Sequence, residues 1–141
     1  MNKFTDDVQA VQSRDLIANF IDEVIENYPV DKDNITLIGF SQGAILSYAV
    51  ALTYPEKISR VAALSGYLHN TIIGYLNSKN LSKLRFFASH GVVDQVIPVE
   101  WARKAPEYLQ AKGIPVEYHE YPVGHGVAPQ NFNDLVAWLN K

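Results

Sequence analysis

The chain changes period abruptly at one place. Asn34-Ile-Thr-Leu-Ile-Gly-Phe40 is a short run rich in β-branched residues with apolar side chains on both faces, and it passes without a linker into a helical pattern over residues 42–54 that closes before Pro55. A strand covered on both faces and followed at once by a helix belongs to a parallel sheet whose crossovers return over it. The five residues at the junction read Gly39-Phe40-Ser41-Gln42-Gly43. This is G-x-S-x-G, in which a serine is held on a sharp strand-to-helix turn with its hydroxyl exposed above the sheet. Both glycines are expected to have a steric task, since a side chain at either position would crowd the neighbouring strand or helix. The start of the helix behind Ser41 points backbone N–H groups toward any negative charge that develops there.

The same alternation runs through the rest of the chain. Upstream, Leu16, Ile17, Phe20, Ile21, Val24, Ile25 and Tyr28 fall at three- and four-residue spacings, which predicts a helix over residues 7–27 with one apolar stripe, ended by Pro29. Downstream, strands are expected over residues 58–64, 84–89 and 116–121, and helices over 99–112 and 129–140. Strands alternating with helices give an α/β fold of about four parallel strands flanked by helices, joined by right-handed crossovers. With no repeat, low-complexity tract or linker, residues 1–141 read as a single domain. Residues 67–83 carry Ile72, Ile73, Tyr75 and Leu76 and are expected to form the helix that crosses between the second and third strands, with a cap over an acyl pocket as the other reading. Trp101 and Trp138 fall in helical patterns and are expected to anchor the core.

Composition narrows the chemistry. Of 141 residues, 48% are hydrophobic and 19% charged, enough apolar surface for a core that needs neither disulfides nor metal. There is no cysteine, which excludes thiol nucleophiles, disulfide scaffolds and cysteine zinc sites. No His or carboxylate pair stands at a recognised ligand spacing, so no metal is expected. The net charge is −3 with the signs mixed, so no basic stripe invites nucleic acid or anionic lipid. The longest apolar stretch, residues 44–52, contains Ser47 and falls short of the roughly 20 residues a membrane helix needs. The opening Met-Asn-Lys-Phe-Thr-Asp-Asp turns acidic where an export signal would turn apolar, so a cytoplasmic location is expected.

A serine hydroxyl needs a base to take its proton and an acid to orient that base. In open parallel sheets such groups gather at the C-terminal ends of the strands. Asp94 lies in the loop after the third strand; alone it would read as a turn former. Four histidines compete for the base. His119 lies inside the fourth strand and is expected to face a helix layer. His69 can line the site but precedes Asp94 and breaks the chain order Ser, Asp, His. His90 opens the loop that carries Asp94 and is expected to fix it by a ring bond to the backbone. His125, between Gly124 and Gly126 after the last strand, is placed to drop toward Ser41. Alone it would read as a solvated loop histidine; the ordered conjunction Ser41, Asp94, His125 selects it.

As a set, Ile38-Gly-Phe-Ser-Gln-Gly-Ala44, Ala63-Leu-Ser-Gly66, His90-Gly-Val-Val-Asp94 with Val96-Ile-Pro98, and Gly124-His-Gly126 resemble the phospholipase/carboxylesterase family of α/β-hydrolases, which includes bacterial carboxylesterases and acyl-protein thioesterases. The resemblance implies a truncated α/β-hydrolase fold, with Ser41, Asp94 and His125 as triad, Gln42 as donor of one oxyanion N–H, and hydrolysis of small carboxylic esters through an acyl-enzyme, without a cofactor. An acyl-protein thioesterase or peptidase with the same triad, and a non-catalytic remnant serving as a binding or assembly module, are the alternatives. Family members carry an upstream half whose Gly-rich His-Gly loop supplies the second oxyanion N–H, and this sequence begins after that point. A slow enzyme is the expectation, since losing one donor costs on the order of 10²- to 10³-fold in rate. A partner chain is one source of the missing N–H; the first turn, Met1 to Asp7, is another, though it holds no Gly-rich loop. The strand from Ile35 to Phe40 would also be left at an edge with no Pro, Lys or bulge to protect it. A homodimer is therefore expected, its edge strands paired antiparallel about a two-fold axis.

Overall fold

The Asp6 carboxylate accepts hydrogen bonds from the backbone N–H groups of Val8 and Gln9, at 3.0 and 3.3 Å, and so opens helix α1, Asp7–Asn27, in a computed structural model that describes residues 6–74 and 78–141. The helix stops as expected where Pro29 bars the preceding residue from helical backbone. Its apolar residues do not form one buried stripe. Ala10, Ala18 and Ile21 are buried with Ile17 and Ile25 beside them, whereas Leu16 and Phe20 are 67% and 64% exposed and Tyr28 also faces out. The apolar positions span more of the helix circumference than α2 covers, so the sector carrying Leu16 and Phe20 has nothing packed over it among the described residues.

The remaining elements follow in order: β1, Thr36–Phe40; α2, Gln42–Thr53; β2, Arg60–Leu64; β3, Arg85–Gly91; α3, Val99–Ala102; α4, Lys104–Ala111; β4, Val116–Tyr121; and α5, Pro129–Leu139. The four strands are parallel in the spatial order β1-β2-β3-β4, with Ile38 opposite Ala62, Ala62 opposite Phe87, and Phe87 opposite Glu117. Fold class and helix layers are those expected, with two corrections. The helix foreseen over 99–112 is broken at Arg103, because Pro106 cannot donate to the carbonyl of Ala102 four residues before it and its ring would collide with that carbonyl. Among the described residues, the crossing from β2 to β3 is made by two 3₁₀ turns, Asn70–Ile72 and Ser78–Lys83, and not by an α-helix. Arg14 Nη1 donates to the Ile72 carbonyl at 2.9 Å and the Gly74 N–H donates to Thr53 Oγ1 at 2.8 Å, which tie this crossing to α1 and α2. Tyr75 and Leu76 lie outside the described residues.

One face of the sheet is closed by α1, α2 and α4 over Val61, Ala63, Phe86 and Ala88. The other is closed by Leu135 and Trp138 of α5 over Ala62, Leu64 and Phe87. Trp138 anchors that layer, its ring 5.7 Å from Phe87 and carrying the Arg60 guanidinium on its other contact. Trp101 is only half-buried, edge-on to Tyr67 at 5.2 Å, because the broken helix holds it at the rim. Helix α5 sits over β2 and β3, which leaves Ile38 of β1 55% exposed and Phe40 43% exposed. β1 is an edge strand, as the sequence led us to expect. Among the described residues, no helix is long and apolar enough to cross a membrane.

Candidate active site

Ser41 joins β1 to α2 with φ 58° and ψ −118°, a left-handed backbone that a serine adopts only when its surroundings enforce it. The enforcement is visible: the Ser41 N–H donates to the Leu64 carbonyl at 2.8 Å, and the Ser41 carbonyl accepts from Ala44 and Ile45 at 3.0 and 3.1 Å. The turn doubles back so tightly that a Cβ on Gly39 would lie 2.2 Å from the Gly43 carbonyl oxygen. The steric task expected of Gly43 is not there. A Cβ at that position would meet nothing within 4 Å, because nothing among the described residues packs over the first turn of α2 on the open side of β1. Gln42 is the first residue of α2, directly after the serine.

Asp94 stands in the loop between β3 and α3 with its side chain fully buried. One carboxylate oxygen, Oδ1, accepts from the backbone N–H groups of Val96 and Ile97, both at 2.8 Å. Burial pushes the carboxyl up, but the N–H of Ile97, the His125 ring and the N–H of Val96 together outweigh it and hold Asp94 below the usual aspartate range. The group is therefore an anion, and its second oxygen, Oδ2, accepts from His125 Nδ1–H at 2.7 Å. With Nδ1 donating, Nε2 presents a lone pair, and the Ser41 hydroxyl donates to it at 2.9 Å. The three side chains, 31 and 84 residues apart in the chain, thus form one continuous file of hydrogen bonds above the C-terminal ends of β1, β3 and β4.

Close backbone contact makes that convergence possible. The loop carrying His125 lies on the end of β3, where a Cβ on Gly91 would fall 2.2 Å from the carbonyl oxygens of both Val123 and Gly124. Val92 N–H donates to Tyr121 O at 2.9 Å and Val93 N–H to Val123 O at 3.2 Å, clamping the two loops together. His90 does what its position suggested: buried, it donates from Nε2 to the Ile97 carbonyl at 2.7 Å, with Asp94 Oδ2 3.3 Å away, and so secures the turn that feeds two N–H groups to Asp94. His119 faces the α5 layer, its ring 5.5 Å from Phe87, with Glu117 on Nε2 at 2.7 Å. His69 does not join the file; its Nε2 pairs with Asp7 Oδ1 at 2.9 Å, tying the loop after β2 to the start of α1.

Three residues near the site stand in the quoted motifs but were given no role of their own from sequence. Gly91 could have been found, since a glycine at the end of a strand and beside a histidine invites a close approach. Ser65, directly after β2, has φ 59° and a buried hydroxyl with no partner among the described residues, and a serine gives no signal for either. Phe40 packs against His125 with ring centroids 5.0 Å apart, a contact 85 residues long that no local pattern announces. Among the described residues no group of three His, Asp or Glu side chains could hold a metal ion.

What this arrangement can do follows from its charges. An anion beside Nδ1 can orient the imidazole, the imidazole can accept a proton from the serine hydroxyl, and an imidazolium so formed would remain paired to a carboxylate.

The chain is 31% identical over 123 residues to acyl-protein thioesterase 1 of Mycosarcoma maydis, an alignment that covers 83% of this chain and 51% of the relative. It is 31% identical over 114 residues to a probable carboxylesterase, SOBER1-like, of Arabidopsis thaliana, covering 79% of this chain and 44% of that protein. The chain thus spans about half the length of these curated relatives. Among solved structures, the Bacillus cereus carboxylesterase superposes with a TM-score of 0.87 at 17% identity over 99% of this chain and 66% of its own. Arabidopsis thaliana SOBER1 superposes with a TM-score of 0.83 at 24% identity over 96% and 65%. These overlays show a truncated α/β-hydrolase fold. The sequence profile described as Phospholipase/Carboxylesterase matches residues 2–141, and the chain belongs to that family.

Proposed function

We propose that the protein is a serine hydrolase that cleaves small carboxylic esters, with Ser41 as nucleophile, His125 as general base and then acid, and Asp94 as the anion that orients and stabilises the imidazole. The observation that carries the reading is the pair of hydrogen bonds on the two nitrogens of His125, 2.9 Å to Ser41 Oγ and 2.7 Å to Asp94 Oδ2. In the first half-reaction Ser41 Oγ attacks the acyl carbon while its proton passes to His125 Nε2. The C–O bond to the alcohol breaks as Nε2 returns that proton to the leaving oxygen. Water then repeats the sequence on the acyl-serine and releases the acid. The backbone N–H of Gln42, at the head of α2, is assigned one hydrogen bond to the oxyanion. A second donor from the first residues of the chain falls outside the described residues, apart from Asp6 and Asp7 at the start of α1.

Thioester cleavage is the second reading, favoured by the relative named acyl-protein thioesterase 1, because the same serine acyl-transfer steps serve a thiolate leaving group. The exposed apolar edge of β1 supports a further part of the proposal, a homodimer in which residues 35–40 of two copies pair antiparallel. Hydrolysis of p-nitrophenyl acetate and butyrate by the protein beside Ser41→Ala tests the enzyme. Release that disappears in Ser41→Ala supports the reading, and equal rates in the two proteins overturn it.

A further inference from the structure

Two hydrogen bonds hold the His125 ring, one at each nitrogen. Rotation about the line joining the two nitrogens preserves both distances while turning the Nδ1–H and the Nε2 lone pair out of line with their partners, and hydrogen bonds weaken as they bend. The ring is tethered off that line at Cγ, so the rotation is governed by the side-chain torsions of His125, and a contact on the face of the ring adds to the restraint. The residues on either side of His125 are glycines, so neither has a side chain to lay against the ring. The face contact comes from Phe40, whose ring centroid lies 5.0 Å from that of the imidazole with the planes at 46°. Phe40 is 43% exposed, so burial in the core does not account for its place. It is also the residue directly before Ser41, so brace and hydroxyl ride on the same turn.

We infer that Phe40 is a positioning residue that fixes the rotation of the His125 imidazole over Ser41, an inference that rests on the serine-hydrolase reading for its kinetic consequence. The test compares wild type with Phe40→Ala, Phe40→Leu and Phe40→Tyr, with Phe20→Ala on the outer side of α1 as a control for loss of an exposed aromatic. Steady-state kinetics on p-nitrophenyl acetate and the ring proton resonances of His125, assigned by their loss in His125→Gln, are the two readouts. Phe40→Ala is expected to lower kcat on the order of 10- to 100-fold with KM within about twofold, and Phe40→Tyr to restore kcat to within about threefold of wild type. Phe20→Ala is expected to leave both readouts unchanged. The His125 resonances are expected to move in Phe40→Ala and return in Phe40→Tyr. Unchanged kcat in Phe40→Ala, or a loss confined to KM as for a ring that touches substrate, overturns the inference. If turnover proves independent of Ser41 the hydrolase reading itself has failed, and the resonances then decide: His125 signals that stay put in Phe40→Ala overturn the brace, and signals that move and broaden sustain it.

Discussion

Gly91 and Val123 meet backbone to backbone: a Cβ on Gly91 would stand 2.2 Å from the Val123 carbonyl oxygen, so the end of β3 and the loop that carries His125 touch with no room for a methyl group. The contact brings the Asp94 loop and the His125 loop within one hydrogen bond of each other. Gly91→Ala must push them apart. It is expected to cost about 1–3 kcal/mol of stability, as overpacking does, and to lower ester hydrolysis by far more than that loss of folded protein explains. Chemical denaturation together with kcat/KM on p-nitrophenyl acetate checks both, and a variant as stable and active as wild type would contradict the contact.

The two glycines of the serine turn are expected to behave differently. Gly39→Ala drives a methyl into the Gly43 carbonyl and is expected to prevent or severely weaken folding, whereas Gly43→Ala enters open space at the head of α2. Removing a glycine from a helix gains up to about 1 kcal/mol, so Gly43→Ala is expected to melt at or slightly above the wild-type temperature.

The ionisation of Asp94 makes stability depend on pH in a defined direction. Its carboxyl is held below the usual range in the folded chain, so the folded state binds this proton less readily than the unfolded chain does. The stabilisation is present above the unfolded value of about 3.9 and is lost as pH falls through the lower folded value. Urea titrations between about pH 6 and pH 2 should therefore show a steeper acid loss in wild type than in Asp94→Asn, which has no such proton to bind. Asp94→Asn should also lower turnover by several orders of magnitude, because the imidazole loses the anion that sets its tautomer.

The open edge of β1 gives a prediction about assembly. Light scattering at micromolar concentration is expected to report a dimer, and Ile38→Lys, which sets a charge on the exposed face of the edge strand, is expected to report a monomer with its secondary structure intact. A wild-type protein that is strictly monomeric would remove the dimer from the account and leave the rest standing.

The serine turn was legible because three local signals coincide on it: a period change, two glycines and a polar residue where the strand ends. Asp94 and His125 were legible through chain order and their places after strands, and the roles expected of His90 and His119 rest on the same positional argument. What was not legible depends on neighbours distant in sequence. Leu16 and Phe20 share the spacing of Ile17 and Ile21, and only the width of the surface facing α1 decides which are covered. Pro106 did carry a readable signal, since its ring excludes a helix passing Ala102, and a continuous helical pattern masked it. The left-handed backbone of Ser65 and the contact of Phe40 with His125 are set by the assembled sheet and have no local cause.

Covalent capture reads out the nucleophile itself. Wild type and Ser41→Ala are each mixed with p-nitrophenyl acetate, quenched in acid within the first turnover, and examined by intact mass and peptide mapping. The account predicts one acetyl group on wild type, located on Ser41, and none on Ser41→Ala. An acetyl group on another residue, or equal labelling of the two proteins, would contradict it.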